Sequence, residues 1–330
     1  EWVGDVKGGN WSETANWQIQ GSSSYSVSEL LSKSTGYDLS ALTDGAVVTN
    51  DLANLLIYSL HLYTPNAGTI TLTSTNKTEN VFPNEQVEFN IADGTTLEWQ
   101  LNHSNKWDGN VTKKKLIIMN AKEGPAKDTG GVFHMNPKIS YDTYQQDLQP
   151  CGKTTVILGE KFSSSLSFIT MWNNATLKLE KNVTVAGVQI NNGCKVDLNG
   201  FNLTICGGEA GATSLGVGQL TGKGNLFWYG GEEWSAGNDT TAFNLTGYEG
   251  LWTFYEGQMT LPANFAYPSA LGFAVDGAAA LMMKSSATLY NLTGKGTTGG
   301  PRLPDGSTLT LTANGAANGT FSGRRLASAE

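Results

Sequence analysis

Between Lys223 and Glu256 the chain gathers the residue types that polysaccharide cleavage requires. Glu232, Glu233, Asp239, Glu249 and Glu256 supply carboxyl groups, while Trp228, Tyr229, Trp234, Trp252, Phe254 and Tyr255 supply rings on which a sugar can stack. Breaking a glycosidic bond takes two carboxyl groups, one acting as acid and one as base or nucleophile, or a basic residue beside a carboxylate-held cation. Lys223 is the basic candidate. Successive residues of a strand point to opposite faces, so Glu232 and Glu233 share one cleft only across a turn. Solvated turn carboxylates and core aromatics explain the same residues without any reaction. The catalytic candidates are Glu232, Glu233 and Asp239, and the carbohydrate-binding candidates are Trp228, Tyr229 and Trp234.

The remaining reactive side chains are dispersed. His61, His103 and His134 have no carboxylate or cysteine at ligand spacing. His61, in Ser59-Leu60-His61-Leu62-Tyr63, reads as part of a strand face, and His134 falls in a long polar stretch. Cys151, Cys194 and Cys206 are odd in number, so they allow at most one disulfide, and their spacing fits no zinc site. No Gly-x-Ser-x-Gly elbow, phosphate loop or dinucleotide fingerprint occurs, which disfavours a nucleophilic triad. No cofactor and no metal are expected. Asn-x-Ser/Thr triplets stand at Asn10, Asn76, Asn102, Asn110, Asn174, Asn182, Asn202, Asn238, Asn244, Asn291 and Asn318, and are acceptors only in a host that glycosylates.

These residues need a scaffold, and composition indicates its class. Charged residues make up only 15% of the 330 and glycine contributes 40, which suits polar turns and uncharged strand faces better than solvated helices. The net charge is −8 and the only arginines are Arg302, Arg324 and Arg325, so a nucleic acid is not the expected partner. No apolar run reaches membrane-span length. A start at Glu1 reads as a mature or excised segment of an exported protein, placed outside the cell or on its surface.

One apolar spacing recurs as Met171-x5-Leu177-x-Leu179, Ile190-x5-Val196-x-Leu198 and Val275-x5-Leu281-x-Met283. Its first two copies lie 19 residues apart, a period typical of stacked strand-and-turn coils. Such a coil cannot bury its apolar row alone, so coils must stack. Thr69-Ile70-Thr71-Leu72-Thr73 alternates strictly, with one dry and one wet face. Val183 and Val185, then Leu203 and Ile205, are expected to point inward with the intervening threonines outward. Leu220-Thr-Gly-Lys-Gly224 and Leu292-Thr-Gly-Lys-Gly296 read as equivalent points of different coils. Only residues 28–32 suggest a helix. Trp2, Trp11 and Trp17 can close an open end of the stack, and 120–150, with Pro125, Gly130-Gly131 and Pro137, reads as a lateral insertion.

The opening Trp2-x-Gly4…Gly9-x-Trp11-Ser12…Asn16-Trp17, the coil Ile190–Ile205 and the Leu-Thr-Gly-Lys-Gly segments resemble autotransporter-type passenger domains and related bacterial surface β-repeat proteins. The similarity spans 1–20 and roughly 165–325. It implies a right-handed parallel β-helix outside the cell, used for adhesion, display or assembly and less often for hydrolysis, although no carboxy-terminal membrane barrel follows here. The resulting expectation is an all-β protein, with a cap over 1–37 and a β-solenoid over 38–330. Its role would be structural or adhesive rather than enzymatic, with copies of itself, other surface proteins or glycans as partners. The alternatives are a polysaccharide-degrading β-helix and a carbohydrate-binding module.

Overall fold

The computed structural model describes residues 1–21, 24–33, 35–52, 54–75, 79–82, 86–100, 105–107, 114–120, 130–136, 138–139, 146–164, 168–206, 218–229, 233–235, 244–255, 258–261, 272–276, 280–293 and 300–311. They are nearly all β, in parallel stacked coils that form a β-solenoid of about 7 turns. The chain divides into two compact units, Glu1–Lys178 and Leu179–Glu330.

In the first unit each coil visits three faces. One face stacks Gly8–Asn10, Ala46–Asn50, Gly68–Ser74, Thr95–Gln100, Val132–Met135 and Thr155–Leu158, every neighbour parallel. A second stacks Thr35–Asp38, Asn54–Leu62, Gln86–Ile91, Lys114–Asn120, Gln146–Pro150 and Phe168–Met171. The third runs from Asn54–Leu62 through Glu79–Phe82, Asn105–Trp107 and Lys138–Ile139 to Ser163–Ser164. Parallel pairing requires a crossover between partners, and here the rest of the coil supplies it.

Alternation decides what is buried. Ala46, Ile70, Leu97, Phe133 and Val156 stand in one register column, each almost fully buried, while Val47 beside them is exposed. Ile70, Leu97, Phe133 and Val156 each contribute about 1.5–3 kcal/mol by leaving water, and Ala46 less. The stretch 120–150, read as a lateral insertion, holds three strands of the coil over its described residues, because Val132-Phe133-His134-Met135 alternates and buries Phe133 and Met135.

The aromatic opening packs inside. Trp2, Trp11, Trp17 and Tyr37 are buried, with Trp2 edge-on to Trp17 at 5.1 Å and Tyr37 edge-on to Trp11 at 4.8 Å. The α-helix among the described residues is Val27–Leu31, started by a capping box in which Ser26 and Glu29 satisfy each other's backbone N–H. Cys151, Cys194 and Cys206 form no disulfide with one another.

In the second unit one face stacks Val183–Val185, Leu203–Ile205, Leu226–Trp228, Leu251–Phe254, Gly272–Val275 and Asn291–Thr293. Val183, Val185, Leu203 and Ile205 point inward as their alternation requires. Beside this face runs an asparagine ladder. Asn182 Oδ1 accepts the Asn202 N–H at 2.9 Å, Asn202 Oδ1 that of Asn225 at 3.0 Å, and Asn225 Oδ1 that of Leu251 at 3.1 Å. Asn202→Ala strands the Asn225 N–H and is expected to cost about 1–3 kcal/mol, whereas Asn202→Asp keeps the acceptor and stays closer to the parent in urea midpoint.

The two Leu-Thr-Gly-Lys-Gly segments are not equivalent. Leu220 belongs to the row of Lys195–Asp197, Gln219–Lys223 and Tyr248–Glu249, whereas Leu292 lies in register with Phe273 in the Val183–Val185 row. The true correspondence is Lys223-Gly224-Asn225-Leu226 with Glu249-Gly250-Leu251-Trp252, whose rows pair directly. Among the described residues no helix is long and apolar enough to cross a membrane.

Candidate functional site

The carboxylate and aromatic cluster is only partly within view. Glu232, Asp239 and Glu256 lie outside the described residues, and Glu233 and Trp234 are described only as backbone of the strand Glu233–Ser235, which pairs with Gln258–Leu261. Trp228 is buried in register with Ile205 and Phe254, so it belongs to the core and offers no open ring face. Tyr229 is exposed and stacks on Tyr255, with ring centres 4.2 Å apart and planes 7° from parallel. Hydrogen bonding to Tyr229, with burial adding to it, pushes the Tyr255 hydroxyl up to about 12. Lys223 and Glu249 approach to 3.8 Å as an exposed pair, a contact of small energetic weight.

The first unit holds a cavity of about 440 Å³. Its floor comes from the strand Thr35–Asp38 and from His61 and Tyr63; its walls come from residues 17–20 and the helix Val27–Leu31. Gln18, Gln20, Asp38, His61 and Tyr63 are among the residues that line it, together with Trp17 and Tyr37, which are themselves buried.

A β-bulge sets up the floor. The register between Thr35–Asp38 and Asn54–Leu62 slips, so Thr35 pairs with Ile57 and Gly36 with Ser59. Tyr58 is the extra residue, and the alternation changes phase across it: Leu55 and Ile57 are buried on one side, Leu60 and Leu62 on the other. Bulges re-aim side chains in this way. Ser59, His61 and Tyr63 consequently share one face, and Asp38, His61 and Asn90 stand in register on three successive coils.

The imidazole of His61 is held on every edge. Nε2 lies 2.9 Å from Ser59 Oγ, and Nδ1 lies 2.7 Å from Tyr63 Oη and 3.2 Å from Asn90 Nδ2. The Tyr63 ring stacks on it at 4.9 Å. Burial moves His61 below its ordinary pKa, while Asp38 and Glu88 pull the other way. Ser59 is buried and does not line the cavity, so the Ser59–His61 contact orients the ring rather than presenting a nucleophile. Asp38 is fixed by its own turn, where Oδ1 accepts the Ser40 N–H at 2.9 Å.

Because His61 binds its proton less readily in the folded state than in the unfolded chain, the unfolded state holds more protons below the ordinary histidine pKa. Stability contributed by His61 is therefore present above about pH 6.5 and falls as the pH drops through that value. The first unit of His61→Gln is expected to lose this part of the slope between neutral pH and pH 5, measured by urea unfolding at each pH.

His134 forms a second pair, with Nδ1 2.9 Å from a Glu98 carboxylate oxygen. No cluster of three or more metal-ligating side chains occurs among the described residues. Sequence reading assigned His61 to a strand face and missed the cavity. The available signal was the run Leu55–Tyr63, in which the apolar alternation skips a beat at Tyr58-Ser59. No family model, curated protein or solved structure matches the chain.

Proposed function

We propose that this chain is a surface-displayed β-solenoid, of the kind found in autotransporter-type passengers, that binds a polyhydroxylated ligand in the Asp38–His61 cavity. The supporting observation is the cavity itself. Side-chain amides, a carboxylate, an imidazole and a phenol converge there beside aromatic rings, the combination that recognises sugar hydroxyls and sugar faces at once. Tyr63 is 39% exposed, while its hydroxyl is anchored on His61, so its ring is held in place before a ligand arrives.

The reading proposed is binding without turnover. The catalytic alternative rests on Glu232, Glu233 and Asp239, whose side chains lie outside the described residues. Other surface molecules bearing glycans are the favoured partners over copies of the same chain.

The test is calorimetric titration with a panel of oligosaccharides, comparing the parent with Tyr63→Ala and Gln18→Ala. A bound glycan whose affinity falls about tenfold in Tyr63→Ala, the loss of about 1.4 kcal/mol, is the expected result. Glycan binding that both variants leave unchanged would remove the cavity from the account.

A further inference from the structure

We infer that the cavity selects a ligand carrying a protonated amine, such as an oligosaccharide of amino sugars, over neutral or acidic counterparts. This deepens the binding reading above and rests on it. The charge around the cavity points in one direction. Glu1 and Asp38 bring carboxyl groups to the lining, and no lysine or arginine is among the lining residues. The Glu1 ammonium donates to the Gln18 carbonyl at 2.9 Å, and the Glu1 carboxylate takes a hydrogen bond from Gln20 at 3.0 Å.

His61 is the other group in the lining that could carry positive charge. Its two ring nitrogens contact neutral partners, Ser59, Tyr63 and Asn90, and burial favours the uncharged ring at neutral pH. Of the charged groups near it, Asp38 and Glu88 are both acidic. An anionic sugar entering here would meet the carboxyl groups of Glu1 and Asp38 and no lysine or arginine side chain among the lining residues. An ammonium group would meet Asp38, whose Oδ1 is fixed by the Ser40 N–H and whose other oxygen has no hydrogen-bond partner among the described residues. Hydrogen bonds between an ammonium and a carboxylate are stronger than neutral ones, and Tyr63, a 39% exposed residue of the lining, adds a favourable quadrupole for a cation.

The whole chain is acidic, with net charge −8, so a cationic oligomer is also drawn to the surface at large. The experiment separates the two effects. Glucosamine, N-acetylglucosamine and galacturonate oligomers of equal length are titrated into the parent, Asp38→Asn, Tyr63→Ala and Glu160→Gln. Asp38→Asn retains an acceptor for the Ser40 N–H and so preserves the turn, while Glu160→Gln removes one exposed charge far along the chain.

The glucosamine oligomer is expected to bind at least about tenfold more tightly than the N-acetylated one, a preference worth about 1.4 kcal/mol. Asp38→Asn is expected to abolish that preference and Glu160→Gln to leave it. Equal binding of both oligomers, with both weakened by Tyr63→Ala, overturns the amine selectivity and leaves the cavity as a glycan site. Tighter binding of galacturonate overturns it as well. So does a preference that survives Asp38→Asn or disappears equally in Glu160→Gln. If Tyr63→Ala leaves every bound oligomer unaffected, the cavity reading falls together with the selectivity.

Discussion

Phe89→Ala is expected to destabilise the first unit by about 3–5 kcal/mol, the range for removing a fully buried phenylalanine from a core that cannot collapse around the gap. Phe89 has no exposed surface and packs against Trp99 at 4.9 Å and Phe133 at 5.1 Å, on two neighbouring faces of the coil. Trp99 and Phe133 are themselves 5.4 Å apart, so the three rings form a closed triangle. Each ring is carried by a paired strand, which limits how far the backbone can move to refill the space. Urea unfolding followed by tryptophan fluorescence reads the change, and Val47→Thr, at a position 45% exposed, is expected to remain within about 0.5 kcal/mol of the parent.

Gly250→Ala is expected to cost about 3 kcal/mol, near the upper end for overpacking a site with no room. A Cβ at Gly250 would run into the Gly224 carbonyl oxygen, which is backbone and cannot rotate away. The clash sits between strands of adjacent coils that are paired directly. Gly224 N–H bonds to the Glu249 carbonyl at 3.3 Å, and the Gly272 N–H bonds to the Gly250 carbonyl at 3.0 Å. Gly306→Ala makes the comparison. Its φ of +77° gives it a left-handed backbone, but a Cβ there meets nothing within 4 Å, so only conformational strain of about 1–2 kcal/mol remains. Thermal unfolding of the two variants should therefore rank Gly250→Ala well below Gly306→Ala, and equal transitions would mean that the coils are spaced more loosely at Gly250.

The stacked-coil architecture was legible because it is written in side-chain polarity. Val183, Val185, Leu203 and Ile205 alternate with threonines, and that alternation alone fixes which face turns inward. Identity of residues was a poorer guide than position. The repeated Leu-Thr-Gly-Lys-Gly invited an equivalence that hydrogen bonding denies, since Gly, Thr and Lys suit any turn and carry no register of their own. Pro125, Gly130-Gly131 and Pro137 made 120–150 read as an insertion or lateral loop, and within it the alternation of Val132–Met135 carries a strand that buries Phe133 and Met135.

The cavity was less legible because it depends on a single slipped register. Nothing in Ser59-Leu60-His61-Leu62-Tyr63 announces that Asp38, from the preceding coil, and Asn90, from the following one, will flank the imidazole. Contacts between coils are set by the number of residues in each turn, which varies along this chain. Trp228 shows the converse. A tryptophan in a polar sequence context reads as a ligand platform until the alternation of Leu226, Phe227 and Trp228 is followed inward.

Cross-linking across one column tests the parallel register of the coils most directly. With Cys151, Cys194 and Cys206 replaced, Thr184→Cys pairs with Thr204→Cys, and Thr204→Cys with Phe227→Cys, at positions that stand opposite each other on adjacent strands. Strands about 4.8 Å apart place such cysteines within disulfide reach, and strands two coils apart do not. Mass spectrometry after mild oxidation should find both adjacent pairs closed and the Thr184→Cys, Phe227→Cys pair open. Closure of that distant pair, or failure of both adjacent ones, would contradict the parallel stacking on which the fold depends.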